Sequence, residues 1–316
     1  MWKFLVAGFL CLSLGLFGCI RRPAITVRTG VPEQAFVTTE SGHLQAAKLV
    51  EASGLAASRR QLGLLWAIND SGNEPRLFAL AADGSDLGQV TMAGVKNVDW
   101  EDLAAFTWNG EPWLLVADVG DNPGRRSHVV LHALPEPQAD DQGRYAGTVR
   151  PAWSLTFTYP DGPRDCEAVA VDETAERILL LSKRSEPPVL YSLPLGPAVD
   201  EALHVATVIG PLATLPPPTA TDLLLPYGRY RSQPTAMDLS ADSSELLVLT
   251  YRHAYLLRRD PGQGWIAVLA KPMQAIELPD LFTLAQREAA CFSPDGKSLF
   301  VTGEGTGAAL LRLERQ

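Results

Sequence analysis

Three glutamates open short runs of small apolar residues: Glu101-Asp102-Leu103-Ala104-Ala105, Glu167-Ala168-Val169-Ala170-Val171 and Glu288-Ala289-Ala290-Cys291-Phe292. Hydroxyl residues open two more runs of the same shape, Ser53-Gly54-Leu55-Ala56-Ala57 and Thr235-Ala236-Met237-Asp238-Leu239. A second polar set trails the strongly apolar runs that follow: Asn69, Asp70, Asp118, Asp121, Asn122, Lys183, Arg184, Tyr251, Arg252, His253 and Glu304. Asp99 and Asp165 stand just ahead of two of the glutamates. Brought together, these carboxylates and amides suit a hard divalent cation such as Ca²⁺, which takes roughly 6–8 oxygen ligands. Lys183, Arg184 and Arg252 are the natural clamps for an anionic ligand, and His253 is the one candidate for a general base.

A structural role competes with each of these. The glutamates would equally serve to accept backbone N–H groups, with Lys183, Arg184 and Arg252 neutralising the excess charge. Asp118-Val119-Gly120-Asp121-Asn122 reads equally well as a tight turn. His253 stands alone, since His43, His128, His132 and His204 are scattered. No serine lies in a nucleophile elbow, and there is neither a phosphate-binding loop nor a dinucleotide fingerprint.

Positioning such residues requires a repeated scaffold, and the chain carries a degenerate repeat. After each of the five runs comes a turn, clearest at Ser293-Pro294-Asp295-Gly296, and then a second apolar strand at 64–68, 113–117, 178–182, 246–250 and 299–302. Third and fourth strands are expected at 76–80 and 89–92, 129–134 and 153–157, 189–193 and 205–209, and 254–258 and 266–270. Four strands per unit is a propeller blade. The fifth unit reaches only a third strand, 309–313, so pairing it with the unpartnered stretch 44–49 closes the ring and removes exposed sheet edges. The fold class is therefore all-β, a propeller of five blades, with room for a sixth in the long spacings of 48, 66, 68 and 53 residues between first strands. An irregular β-sandwich is the alternative architecture.

In an up-and-down blade the first strand begins where the second ends. Both polar sets therefore converge on one mouth of the central channel. The insertion carrying Pro216-Pro217-Pro218, Tyr227, Arg229, Tyr230 and Arg231 is expected to overhang it. The tryptophans are expected between blades, with Trp100 also a candidate to face a ligand.

The Glu-x-Leu/Val-Ala strands followed by Ser-Pro-Asp-Gly resemble those of a broad group of extracytoplasmic propellers that includes phytase-like, gluconolactonase-like and paraoxonase-like proteins. The resemblance spans most of residues 44–316 and implies the fold further than the chemistry. The motif glycine survives only at Gly54, being replaced by Asp102, Ala168 and Ala289.

The N-terminus carries Lys3 and then an apolar run, Phe4 to Phe17, of about 14 residues, too short to span a bilayer. Leu16-Phe17-Gly18-Cys19 resembles the bacterial lipobox, which implies cleavage and lipidation at Cys19. Ile20, where inner-membrane retention would place Asp, points to the periplasmic face of the outer membrane. The expected organisation is a signal peptide over 1–18, a lipidated tether over 19–42 and the propeller over 43–316. The charge of −9, with 27 basic against 36 acidic residues, excludes a nucleic-acid footprint. Beyond the leader only Cys166 and Cys291 remain besides the anchor, so disulfides do not build the body. Two functions fit: a membrane-tethered propeller that binds a small anionic ligand or an envelope protein at its mouth, or a Ca²⁺-assisted hydrolase of a phosphoester or lactone.

Overall fold

The computed structural model describes residues 35–198, 203–225, 228–279, 284 and 286–316. Cys19, the leader and Tyr227 lie outside the described residues. Contacts separate residues 1–33 from a compact unit spanning 34–316. Among the described residues no helix is long and apolar enough to cross a membrane.

The unit is a five-bladed β-propeller. Blade 1 is Ala52–Ala57, Leu64–Asn69, Arg76–Ala81 and Asp86–Met92, and blade 2 is Trp100–Trp108, Glu111–Asp118, Val129–Pro135 and Trp153–Thr158. Blade 3 is Cys166–Asp172, Arg177–Ser182, Val189–Pro194 and Thr207–Pro211; blade 4 is Pro234–Leu239, Glu245–Thr250, Ala254–Arg258 and Gln274–Ile276. Blade 5 takes Arg287–Phe292, Ser298–Gly303 and Ala309–Arg315 from the C-terminus and its outermost strand, Phe36–His43, from the N-terminus. Each innermost strand packs against those of both neighbouring blades, blade 5 against blade 1 included. The ring is thereby closed with five blades, and the described residues form no sixth.

Three strand assignments differ from the sequence reading. The closing strand is Phe36–His43, which begins in the segment read as tether and ends on the first residue read as propeller, while residues 44–49 form a turn whose Leu44 and Leu49 are buried between blades 5 and 1. The stretch read as the fourth strand of blade 4 is a one-turn helix, Trp265–Leu269, and the strand follows it at Gln274–Ile276. In blade 3, His204–Val205 leaves its own blade and adds a parallel strand to the outer edge of blade 2, as Thr148–Val149 does for blade 1.

Five hydrophobic clusters hold the ring, one at each blade interface. Large side chains sit out along the blades, as Trp66 and Phe157 do, while alanines crowd the innermost strands, where five backbones converge. Gly54 marks a close approach between two of them: a Cβ there would lie 2.7 Å from the Leu103 nitrogen of blade 2. Trp100 is fully buried in the interface between blades 1 and 2. Cys166 and Cys291 are buried, free, and in different interfaces.

Candidate functional site at the channel mouth

Each innermost strand starts with a break in register against its partner. The breaks fall between Ala52 and Gly54, Trp100 and Asp102, Cys166 and Ala168, Pro234 and Ala236, and Arg287 and Ala289. The residue skipped is Ser53, Glu101, Glu167, Thr235 or Glu288 in turn. A bulge frees a residue from the ladder and re-aims its side chain; repeated five times around one axis, it aims five polar residues at one mouth. Their fates then diverge by type. The hydroxyls staple neighbouring blades, Ser53 donating to the Trp100 carbonyl (2.9 Å) and Thr235 to the Arg287 carbonyl (2.7 Å). The three glutamates line a cavity of about 730 Å³.

Two further rungs repeat with the bulges. Two residues upstream stand Glu51, Asp99, Asp165, Gln233 and Gln286; directly after each second strand stand Asp70, Val119, Lys183, Tyr251 and Glu304. The cavity is lined by Asp70, Glu101, Asn122, Glu167, Lys183, Arg184, Glu288 and Glu304, with Tyr251, Gln233 and Gln286. Tyr230 and Arg231 close over it from the insertion between blades 3 and 4. Gln233 and Gln286 were not singled out in the sequence, although their equivalence to Asp99 and Asp165 in the repeat is the signal that finds them.

Not every expected residue reaches the cavity. Asn69 accepts the Val50 and Glu51 amides, both at 3.0 Å, and donates to the Lys48 carbonyl. Asp118 accepts the Val98 and Asp99 amides (both 3.2 Å) and pairs with Arg126 at 2.7 Å. Asp121 accepts the Arg125 and Arg126 amides at 2.8 Å. All three are therefore loop anchors in the wall rather than candidate cation ligands. Arg252 pairs with Asp222 (2.7 Å), which also lies 3.5 Å from Arg231 and so pins the lid. His253 lies outside the cavity wall and accepts from Arg252 Nε at 3.0 Å. Burial and the adjacent Arg252 hold its imidazole below the ordinary range, and it is its place outside the lining that separates it from the mouth.

The mouth divides into two halves. On the side of blades 3 to 5, Lys183 forms an ion pair with Glu167 and donates to the Tyr251 hydroxyl (3.1 Å), and Tyr251 donates to Glu288 at 2.6 Å. Burial opposes the charge on Lys183, but Glu167, Glu288 and Glu101 outweigh it and hold the ammonium above its ordinary range. Glu304 is pushed up to about 8, first by burial and then by its hydrogen bond to Glu288. That half carries a cation of its own, Lys183, and is partly neutralised from within.

The side of blades 1 to 3 is not. Asp70, Asp99 and Glu101 present oxygens within 4.8 Å of one another, and so do Glu101, Asp165 and Glu167. Glu101 is only 6% exposed, and no hydrogen bond or ion pair reaches its carboxylate among the described residues. Burial, and then Glu167, Asp70 and Asp99, push it well above the usual carboxylate range. Asp99 is raised to about 6, by burial and then by Asp70. The backbone comes close beneath them: a Cβ on Gly120 would lie 2.1 Å from Glu101 Oε1 and 2.6 Å from Asp99 Oδ2.

No family model matches the chain, and no curated protein matches it. Among solved structures it is similar to a chain of a nidogen/laminin complex, at 10% identity and a TM-score of 0.42, covering 81% of this chain and 73% of that one. It is also similar to the PQQ-bound aldose sugar dehydrogenase of Streptomyces coelicolor, at 12% identity and a TM-score of 0.46, covering 90% and 98%. These likenesses are too distant to carry chemistry from those proteins to this one.

Proposed function

We propose that the channel mouth captures a small anionic ligand with the help of a bound divalent cation, Ca²⁺ by the hardness of its all-oxygen donor set. The observation that carries this reading is Glu101, a buried carboxylate with no hydrogen bond or ion pair among the described residues, beside Asp70 and Asp99. Leaving a carboxylate buried and uncompensated costs several kcal/mol, on the order of a buried ion's desolvation. A cation held by Glu101, Asp99 and Asp70 relieves that cost. It would retain open positions for an anion, which Lys183, Arg184 and Arg231 meet from the opposite wall and the lid.

A second reading, hydrolysis of a phosphoester or lactone, is favoured by the cation position and Lys183 sharing one cavity: the cation would supply Lewis-acid polarisation while Lys183 and Arg231 hold the substrate's charge. No side chain of the cavity is placed as a nucleophile. Anchoring through a lipidated Cys19 on the periplasmic face of the outer membrane, where an envelope protein would be the alternative ligand, completes the proposal.

Melting in calcium and in chelator tests the cation. Saturation at a hundredfold excess over Kd should add about 2.7 kcal/mol of stability, and Glu101→Gln should erase the response. An unchanged melting temperature in both conditions leaves the acids a purely structural role. Cys19→Ser should release the protein from the membrane fraction.

A further inference from the structure

Of the three cations that line the mouth, two are engaged within its wall. Lys183 is held by Glu167 and the Tyr251 hydroxyl, and Arg184 by Asp165 and the Asn122 side chain. Arg231, on the lid, is not held in this way. Its nearest acid among the described residues is Asp222, 3.5 Å from Nε, and Nε makes no hydrogen bond. The other oxygen of Asp222 accepts from Arg252 (2.7 Å) and from the Thr219 amide (2.8 Å) and hydroxyl (2.6 Å), so one carboxylate serves two guanidiniums. Burial holds the Arg231 guanidinium below its ordinary range, with Asp222 opposing and Arg252 reinforcing the shift. Two residues further along the same segment, Gln233 also lines the mouth, and its Oε1 is buried and receives no hydrogen bond among the described residues. The lid therefore offers the cavity a fork of donors short of acceptors and, close to it in the chain, an acceptor short of a donor.

The geometry points to a ligand that is an oxyanion with a neighbouring hydroxyl group, Arg231 taking the oxyanion and Gln233 Oε1 accepting the hydroxyl. A guanidinium fork matches carboxylate and phosphate alike, since either accepts two parallel N–H groups. The amide oxygen accepts from a hydroxyl and disfavours an analogue without one, because that analogue leaves the buried acceptor unsatisfied. Hydroxy acids and hydroxyalkyl phosphates share this chemistry. This rests on the anion capture proposed above and names the class of the anion and the residues that read it.

Calorimetric titration of the full-length protein in detergent with calcium, using two matched pairs of probes, tests it: glycerate against propionate, and glycerol 3-phosphate against propyl phosphate. In the pair whose oxyanion suits the site, the hydroxylated member should bind about tenfold tighter, and the tighter-binding pair identifies carboxylate or phosphate as the oxyanion. Gln233→Met should abolish that preference, leave the affinity for propionate and propyl phosphate unchanged, and melt no lower than wild type without ligand, because the side chain it deletes has no partner to lose. Arg231→Met should weaken every probe that binds by about 10–100-fold, with Arg231→Lys, which keeps the charge without the fork, as the second variant should the first fold poorly. Equal affinities within both pairs, a preference that survives Gln233→Met, or full affinity in both arginine variants overturns the inference and leaves anion capture standing. No binding of any probe overturns both.

Discussion

The carboxylate of Asp102, on the innermost strand of blade 2, accepts the amide of Met237 on blade 4 at 3.2 Å, straight across the channel. The same oxygen accepts Val169 of blade 3 at 2.8 Å, and the other accepts Leu103 at 2.8 Å. Asp102 is fully buried, and burial holds it well above the usual carboxylate range despite the three donors. It is the floor beneath the mouth. Removing it orphans buried amides on two other blades at roughly 1–3 kcal/mol each. Asp102→Ala should therefore lower unfolding stability by about 2–6 kcal/mol, while Asp102→Asn, which keeps an accepting oxygen, should cost less. Urea unfolding of both variants checks this, and equal losses would contradict it.

Gly120 is required for space rather than for a left-handed backbone, since its added Cβ would collide with Glu101 and Asp99. Gly120→Ala should leave the propeller folded but displace the two carboxylates. Disturbing the support of cation ligands typically weakens affinity about 10–100-fold. Calorimetry should find such a loss of calcium affinity, and an unchanged affinity would remove Asp99 and Glu101 from the site.

The bulge residues divide into staples and repelling acids, with opposite consequences for stability in chelator. Thr235→Val deletes a buried hydrogen bond to the Arg287 carbonyl and should cost about 1–3 kcal/mol. Glu101→Gln removes a buried charge that burial and three neighbouring acids oppose, and should raise the melting temperature. A fall for Glu101→Gln would mean the carboxylate has a stabilising partner after all.

Stability of the chelated protein should fall as pH rises. Asp238 is raised to about 6 by burial, and Glu304 to about 8 by burial and then by Glu288. A carboxyl whose pKa rises on folding binds its proton more tightly in the folded chain. Its contribution is complete below about 4 and is lost through about 6 for Asp238 and about 8 for Glu304. Melting should drop steadily over this range, and Glu304→Gln should flatten the upper part. A melting temperature that climbs between about pH 5 and 8 would reverse the sign of this argument.

The innermost and second strands were legible in the sequence because they are short, apolar and bounded by turn residues, and because the same pattern returns five times. Where a run stood outside the repeat, legibility failed. Trp265–Leu269 buries Trp265, Val268 and Leu269, a helical spacing, yet a five-residue apolar stretch cannot be assigned by periodicity alone. Phe36–His43, with its threonines, serine and glycine, has little apolar pattern of its own; it becomes a strand by pairing with Ala309–Arg315, the last edge left open in the ring.

By itself the sequence determined the five-fold repeat and therefore which residues open the innermost strands, since residue type and spacing are local properties. Only the tertiary structure decided which of the acids stay uncompensated. Asp118 and Asp121 look no different from Asp70 and Asp99 in the chain, but their loops return two backbone amides to each of them, whereas Glu101, skipped by the break in register, receives no hydrogen bond among the described residues. A carboxylate's partner comes from whatever the fold brings within about 3 Å of it, and around this channel those groups come from three different blades.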